Sequence, residues 1–282
     1  MRVTLLILLC CAACRSVPAE PKNPFVLERP WGIATGATAE QALVLAELVE
    51  VARPRLVELP GFVDQPLRIH ASERALPHDW SGMTVAGVLG GPWVVIASGT
   101  AYLPFATTHE LAHFYLGELV GRLPPVVEEG FCDLVAKRIH PAPDAESWRL
   151  TVAAVSYLDR FTIRIDGPGA KARLGYLVQE VPALEAVLEL DAAEFLKLDE
   201  RARDACYGIG WVVADALGFE GLAELEARRR SAGLERIPVA WILEASGLAP
   251  LTQANLTAAF VHALGAEPGP RDGTLTITLS DG

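Results

Sequence analysis

Hydrophobic positions recur with two different periods along the chain, and the changeover falls near Pro104. Upstream, Leu67–His70 and Val85–Val88 read as short strands. Trp93–Ala97 is a continuous apolar strand introduced by the turn Gly90-Gly91-Pro92. One helix precedes them: Thr38 and Gln41 form a capping box, and Leu43, Val44, Leu48 and Val51 repeat at helical spacing until Pro54 interrupts the run. From Pro104 nearly to Gly265 helical periodicity dominates. It is broken at Pro124-Pro125, at Pro141 and Pro143, at Gly167-Pro168, and near Gly218 and Gly247. The tail, Thr274–Leu279, alternates like a strand, and no internal repeat is visible. The pattern predicts an α+β fold. Residues 31–120 supply a small sheet with one or two helices, residues 121–265 a mainly helical portion, and residues 266–282 a tail with a short strand, with the chemistry expected where the first two parts join.

The N-terminus changes the picture of where the domain resides. Arg2, the apolar run Val3–Leu9 and then Cys10-Cys11-Ala12-Ala13-Cys14 describe a secretory signal over residues 1–14, too short to span a bilayer. Ala12-Ala13-Cys14 resembles the lipobox of bacterial lipoproteins, with Cys11 standing where leucine is usual. That resemblance implies lipidation at Cys14 and an extracytoplasmic, membrane-anchored protein, with the proline-rich residues 15–30 as a tether. With 51% hydrophobic residues in 282, the remainder can bury a full core. A net charge of −11 excludes a nucleic-acid partner. The one basic cluster, Arg228-Arg229-Arg230, lies beside Glu224 and Glu226 and reads as a solvated helix face.

Candidate chemistry centres on His109-Glu110-Leu111-Ala112-His113, an HExxH pattern. Two histidines four apart share one helical face and can reach one ion, while Glu110 projects beside it to polarise a water molecule. Catalytic zinc needs a third protein ligand and an open position. Pro124-Pro125-Val126-Val127-Glu128-Glu129-Gly130-Phe131-Cys132-Asp133 offers two carboxylates just after a turn. Glu129 is preferred over Glu128, because Asp133 then lies one turn further along the same face, as an acceptor that orients a ligating histidine. Choosing Glu128 would put the Cys132 thiol, a poor acceptor, in that place.

These residues resemble the gluzincins of the peptidase MA clan, specifically over 104–137 and loosely over 85–265. The resemblance implies a zincin-like catalytic domain holding one zinc ion. His109, His113 and Glu129 would be its ligands, Glu110 the general base and Asp133 the orienting group. The span between His113 and Glu129 is shorter than in thermolysin. Downstream, Cys206-Tyr207-Gly208-Ile209-Gly210-Trp211 is similar to the "Y-G-x-G" helix of small members of the clan, and Tyr207 is the implied oxyanion-stabilising residue. Cys132 and Cys206 would lie on two helices flanking the metal, where they are either independent buried thiols or a bridge between the helices. The strand Trp93–Ala97 takes the place of the zincin edge strand, to which an extended peptide adds. The stretch Val85-Ala86-Gly87-Val88-Leu89-Gly90-Gly91-Pro92 has no acid to capture a free amine, which favours an endopeptidase acting on a peptide or protein. A non-catalytic, lipid-anchored zinc-binding or scaffold protein of the cell envelope is the competing class. His70, His78, His140 and His262 stand in no ligand spacing.

Overall fold

The computed structural model describes residues 24–74, 76, 82–85, 93–100, 102–159, 161–166, 180–265 and 275–280. The signal and the lipidation site at Cys14 lie outside them, as does His78. The chain falls into two compact units, Met1–Val120 with Val135–Ala142, and Gly121–Leu134 with Pro143–Gly282.

In the first unit, strands β1 (Phe25–Arg29), β2 (Gly32–Gly36), β3 (Leu67–Ser72), β4 (Gly82–Val85) and β5 (Trp93–Ala97) form one mixed sheet in the order β1-β2-β3-β5-β4. β2, β3 and β5 run parallel, and the two outer strands are antiparallel to their neighbours. The segment expected to be a tether as far as residue 30 is therefore already sheet from Phe25.

Helix α1 (Ala39–Val57) crosses from β2 to β3 and opens with the capping box of Thr38 and Gln41. Its buried face is Ala42, Leu45, Ala46, Val49, Ala52 and Leu56. Of the four residues whose helical spacing marks this helix in the sequence, Leu43 (43%) and Val51 (48%) are exposed and Val44 and Leu48 half-buried. Two apolar stripes at helical spacing run along this helix, and the sheet selects the one rich in alanine, which permits close approach. Pro54 does not end the helix. An interior proline costs roughly 3 kcal/mol, and burial of Ala52 and Leu56 on either side offsets that cost. Helix α2 (Leu103–Val120) packs against β4, β5 and α1. It is buried almost all round, from Phe105 through Ala112 and again at Phe114–Leu116, so this is a central helix and not a surface one.

Helix α3 (Pro125–Ile139) begins with proline at its first position, where the missing N–H costs nothing, and Pro124 O accepts from Val127 and Glu128. In the second unit it is followed by α4 (Pro143–Tyr157), β6 (Phe161–Asp166), the short α5 (Leu184–Val187) and α6 (Ala192–Phe195), then α7 (Glu200–Ser231), α8 (Val239–Ala245), α9 (Gln253–Ala263) and β7 (Leu275–Ser280). β6 pairs with β7 in parallel. β6 lies in a stretch expected to be helical; Phe161, Ile163 and Ile165 alternate with Thr162, Arg164 and Asp166, a period of two embedded among longer helical runs. The 32-residue α7 bends at Gly218, whose φ of 65° and ψ of 173° are non-helical.

Glycines set the spacing of three helices in this unit. A Cβ on Gly210 would stand 1.9 Å from Val126 O, and one on Gly130 would stand 2.1 Å from Gly210 C and O. One on Gly208 would stand 2.5 Å from Arg149 O. α7 thus touches α3 through Gly210 and α4 through Gly208, backbone against side-chain-free backbone. Among the described residues no helix is long and apolar enough to cross a membrane.

Candidate metal centre

The HELAH segment occupies the middle of α2, where 3.6 residues per turn bring positions four apart above one another. His109 and Glu110 are each 8% exposed, and His113 is half-buried. The Nε2 atoms of His109 and His113 lie 3.2 Å apart, with ring centroids separated by 4.9 Å and planes inclined at 67°. Two nitrogens each about 2.05 Å from a tetrahedral zinc stand about 3.3 Å apart, so the imidazoles already have the separation that a shared ion requires. One Glu129 carboxylate oxygen completes the group, and the three ligand atoms all lie within 4.8 Å of one another. Two imidazoles and one carboxylate form a donor set of intermediate softness that suits zinc and leaves a fourth position for water or substrate.

Glu110 is held from the sheet. The Thr84 hydroxyl lies 2.7 Å from Glu110 Oε2, to which it donates, and 3.0 Å from the Glu110 carbonyl oxygen. Two residues earlier on the same face of β4, Gly82 leaves room for the carboxylate: a Cβ there would meet Glu110 Cγ at 2.7 Å and Ile96 Cδ1 at 2.9 Å. Thr84 and Gly82 escaped the sequence reading, because nothing local links a four-residue strand to a helix beginning at Leu103. Beside His109, the Thr108 hydroxyl donates to Pro104 O at 2.9 Å and lies 2.7 Å from His140 Nδ1. Burial, with help from Arg55, lowers the His140 pKa.

Asp133 lies one turn beyond Glu129 on α3, fully buried, and its carboxylate pairs with Arg149 of α4. The same guanidinium sits over the Tyr207 ring, 4.5 Å from its centroid, and Phe195 meets that ring edge-on at 5.4 Å. Burial opposes the charge on Arg149, but Asp133, Tyr207 and Asp204 outweigh it, and the guanidinium pKa is raised. Arg149 is a third residue that the sequence did not reveal. A lone arginine in an amphipathic helix carries no spacing signal, and its partner lies on a different helix.

One expectation needs correction. Trp93–Ala97 is not an edge strand: it is β5, between β3 and β4, and β4 takes the outer position, antiparallel to β5. Of the two readings left open for Cys132 and Cys206, the structure has buried thiols with no bridge between them. Adjacency to Asp133 and Tyr207 in sequence fixes neither sulfur's direction, and the Cys206 thiol faces Tyr157. Burial pushes Cys206 up to about 12. Of the remaining histidines, His70 is buried and shares a 2.9 Å hydrogen bond with the Thr35 hydroxyl, and His262 pairs with Asp215 at 2.7 Å.

Compared with protein-family models, with curated proteins and with solved structures, the chain matches none.

Proposed function

We propose that this protein is a zinc-dependent metallopeptidase of gluzincin type, with a zincin-like catalytic domain. The observation that carries the reading is the convergence of His109, His113 and Glu129 within 4.8 Å, with the glutamate of the HExxH pattern, Glu110, held buried in the same helix. His109, His113 and Glu129 would hold the ion. When bound, zinc supplies Lewis acidity to a water molecule and to the scissile carbonyl. Glu110 takes the proton from the attacking water and returns it to the leaving amine. β4 offers the free edge of the sheet among the described residues, where an extended peptide adds through main-chain hydrogen bonds. Tyr207, its ring clamped between Arg149 and Phe195, is the residue assigned to the developing oxyanion. The substrate is a peptide or protein cut internally. The N-terminal pattern supports export and a lipid anchor at Cys14.

The test is zinc content together with hydrolysis of an internally quenched peptide library, for wild type and Glu110→Gln. The reading predicts one zinc per chain in both proteins and a loss of activity on the order of 10²–10⁴-fold in the variant. Zinc without hydrolysis in wild type would leave a non-catalytic zinc-binding protein of the envelope, and absence of zinc would defeat both readings.

A further inference from the structure

We propose that Thr84 is a positioning residue for Glu110, so that the strand taking the substrate also sets the orientation of the base. This rests on the peptidase reading of the same site. A glutamate side chain has three rotatable bonds, and burial alone does not choose among its rotamers. Here the choice is made from β4. Thr84 donates to Oε2 at 2.7 Å, while Gly82, on the same face of the strand, would with any side chain stand 2.7 Å from Cγ. One residue bonds the carboxylate and the other makes space for its stem. Thr84 Oγ1 also lies 3.0 Å from the Glu110 carbonyl oxygen, so the strand is tied to the helix at the base itself. The main chain is fixed as well. Gly82 pairs with Ile96 and Thr84 with Val94 in the antiparallel β4–β5 register, which gives the hydroxyl a rigid mount on the sheet. β4 is the edge strand, so a peptide added to it lies alongside the element that holds Glu110. A base preset in this way needs no reorientation when the substrate arrives, and the effect should appear in kcat rather than in KM.

The experiment compares Thr84→Val, which removes the hydroxyl and keeps the shape, with Thr84→Ser, which restores the hydroxyl, in the full-length zinc-loaded chain. Thr84→Ala stands in should Thr84→Val fail to fold. Steady-state peptide hydrolysis is read alongside zinc content and the Glu110 rotamer in crystals of each variant. Thr84→Val is expected to lower kcat about tenfold with KM changed less than about twofold, with zinc retained and the Glu110 carboxylate spread over several rotamers. Thr84→Ser is expected to recover most of kcat and the single rotamer. Wild-type kcat in Thr84→Val, equal impairment in both variants, or an unmoved Glu110 carboxylate in Thr84→Val would each overturn the proposal. A rotamer that disperses in Thr84→Val, in a protein whose wild type cuts no peptide, would support the positioning role and defeat the peptidase reading instead.

Discussion

The guanidinium of Arg149 sits over the Tyr207 ring while it pairs with the fully buried carboxylate of Asp133, one turn along α3 from Glu129. One arginine therefore joins two residues singled out on separate grounds. Arg149→Met removes the guanidinium paired with a buried carboxylate, and breaking a buried pair from one side costs about 3–5 kcal/mol, the lower end applying because Arg149 is partly exposed. Urea unfolding should show a fall of about 3 kcal/mol, and adding Asp133→Asn should restore part of it. A single variant as stable as wild type would mean that Asp133 draws its compensation from elsewhere.

The glycine contacts predict opposite outcomes for the same substitution at two sites. Gly210→Ala drives a methyl to within 1.9 Å of Val126 O, a backbone atom that cannot swing aside, so α3 and α7 must separate. Overpacking of this kind costs about 3 kcal/mol or more. Gly117→Ala, exposed on α2 with nothing within 4 Å of the new Cβ, should stabilise the chain by about 0.5–1 kcal/mol through helix propensity. Thermal unfolding of the two variants side by side reads both signs.

Glu226 supplies a pH dependence. Arg229 bonds its carboxylate at 2.6 and 2.9 Å and Arg230 at 2.7 Å. The Arg229 bonds hold its pKa below the usual carboxylate range against the opposing effect of burial, with Arg230 adding to them. A depressed folded-state pKa means that the stabilisation is present above the unfolded value, near 4.3, and is lost as pH falls through the folded value. Glu226→Gln should cost about 1 kcal/mol at pH 7, and the gap to wild type should close as the pH is lowered below about 4. Denaturant titrations at several pH values give the comparison; a gap that widens in acid would reverse the assignment.

The proposed zinc site predicts that chelation destabilises the protein. An ion that binds only the native state at a free concentration about 100 times its Kd adds about 2.7 kcal/mol. On that reading a chelator lowers Tm, and added zinc raises it again. Glu129→Gln should weaken zinc affinity by at least tenfold, whereas Glu128→Gln, outside the ligand group, should not. Equal effects of the two variants would remove Glu129 from the site.

What the sequence reveals here follows the range of each interaction. His109 and His113 share a face because helical period is local, and Pro125 marks the start of α3 for the same reason. The α+β class was likewise legible from the change in period near Pro104. The inward face of α1 was not, because Leu43 and Leu45 both fit a helical stripe and only the sheet decides between them. The grouping of the Glu129 carboxylate with two imidazoles of another helix, as atoms that could hold an ion, depends on tertiary structure, which spacing can propose and cannot place. Thr84 and Arg149 lie further still from local rules. Their partners, Glu110 and Asp133, are 26 and 16 residues away on different elements, and neither residue belongs to a pattern. The two readings of the cysteines stayed open in the sequence for a related reason: a neighbour in sequence to a site residue points elsewhere on a helix, about 100° round.

The meeting of Gly130 and Gly210 has a consequence for anyone who maps this protein by mutation. Both positions are closed to every side chain, since even a methyl would enter backbone atoms of the facing helix. In a saturation screen scored by function they would be as intolerant as the proposed metal ligands, and Gly130 directly follows Glu129. A screen of that kind would therefore outline the chemistry and its scaffold in one undivided signal. Only a second score, for abundance of folded protein, would separate the residues that react from the glycines that let the helices touch.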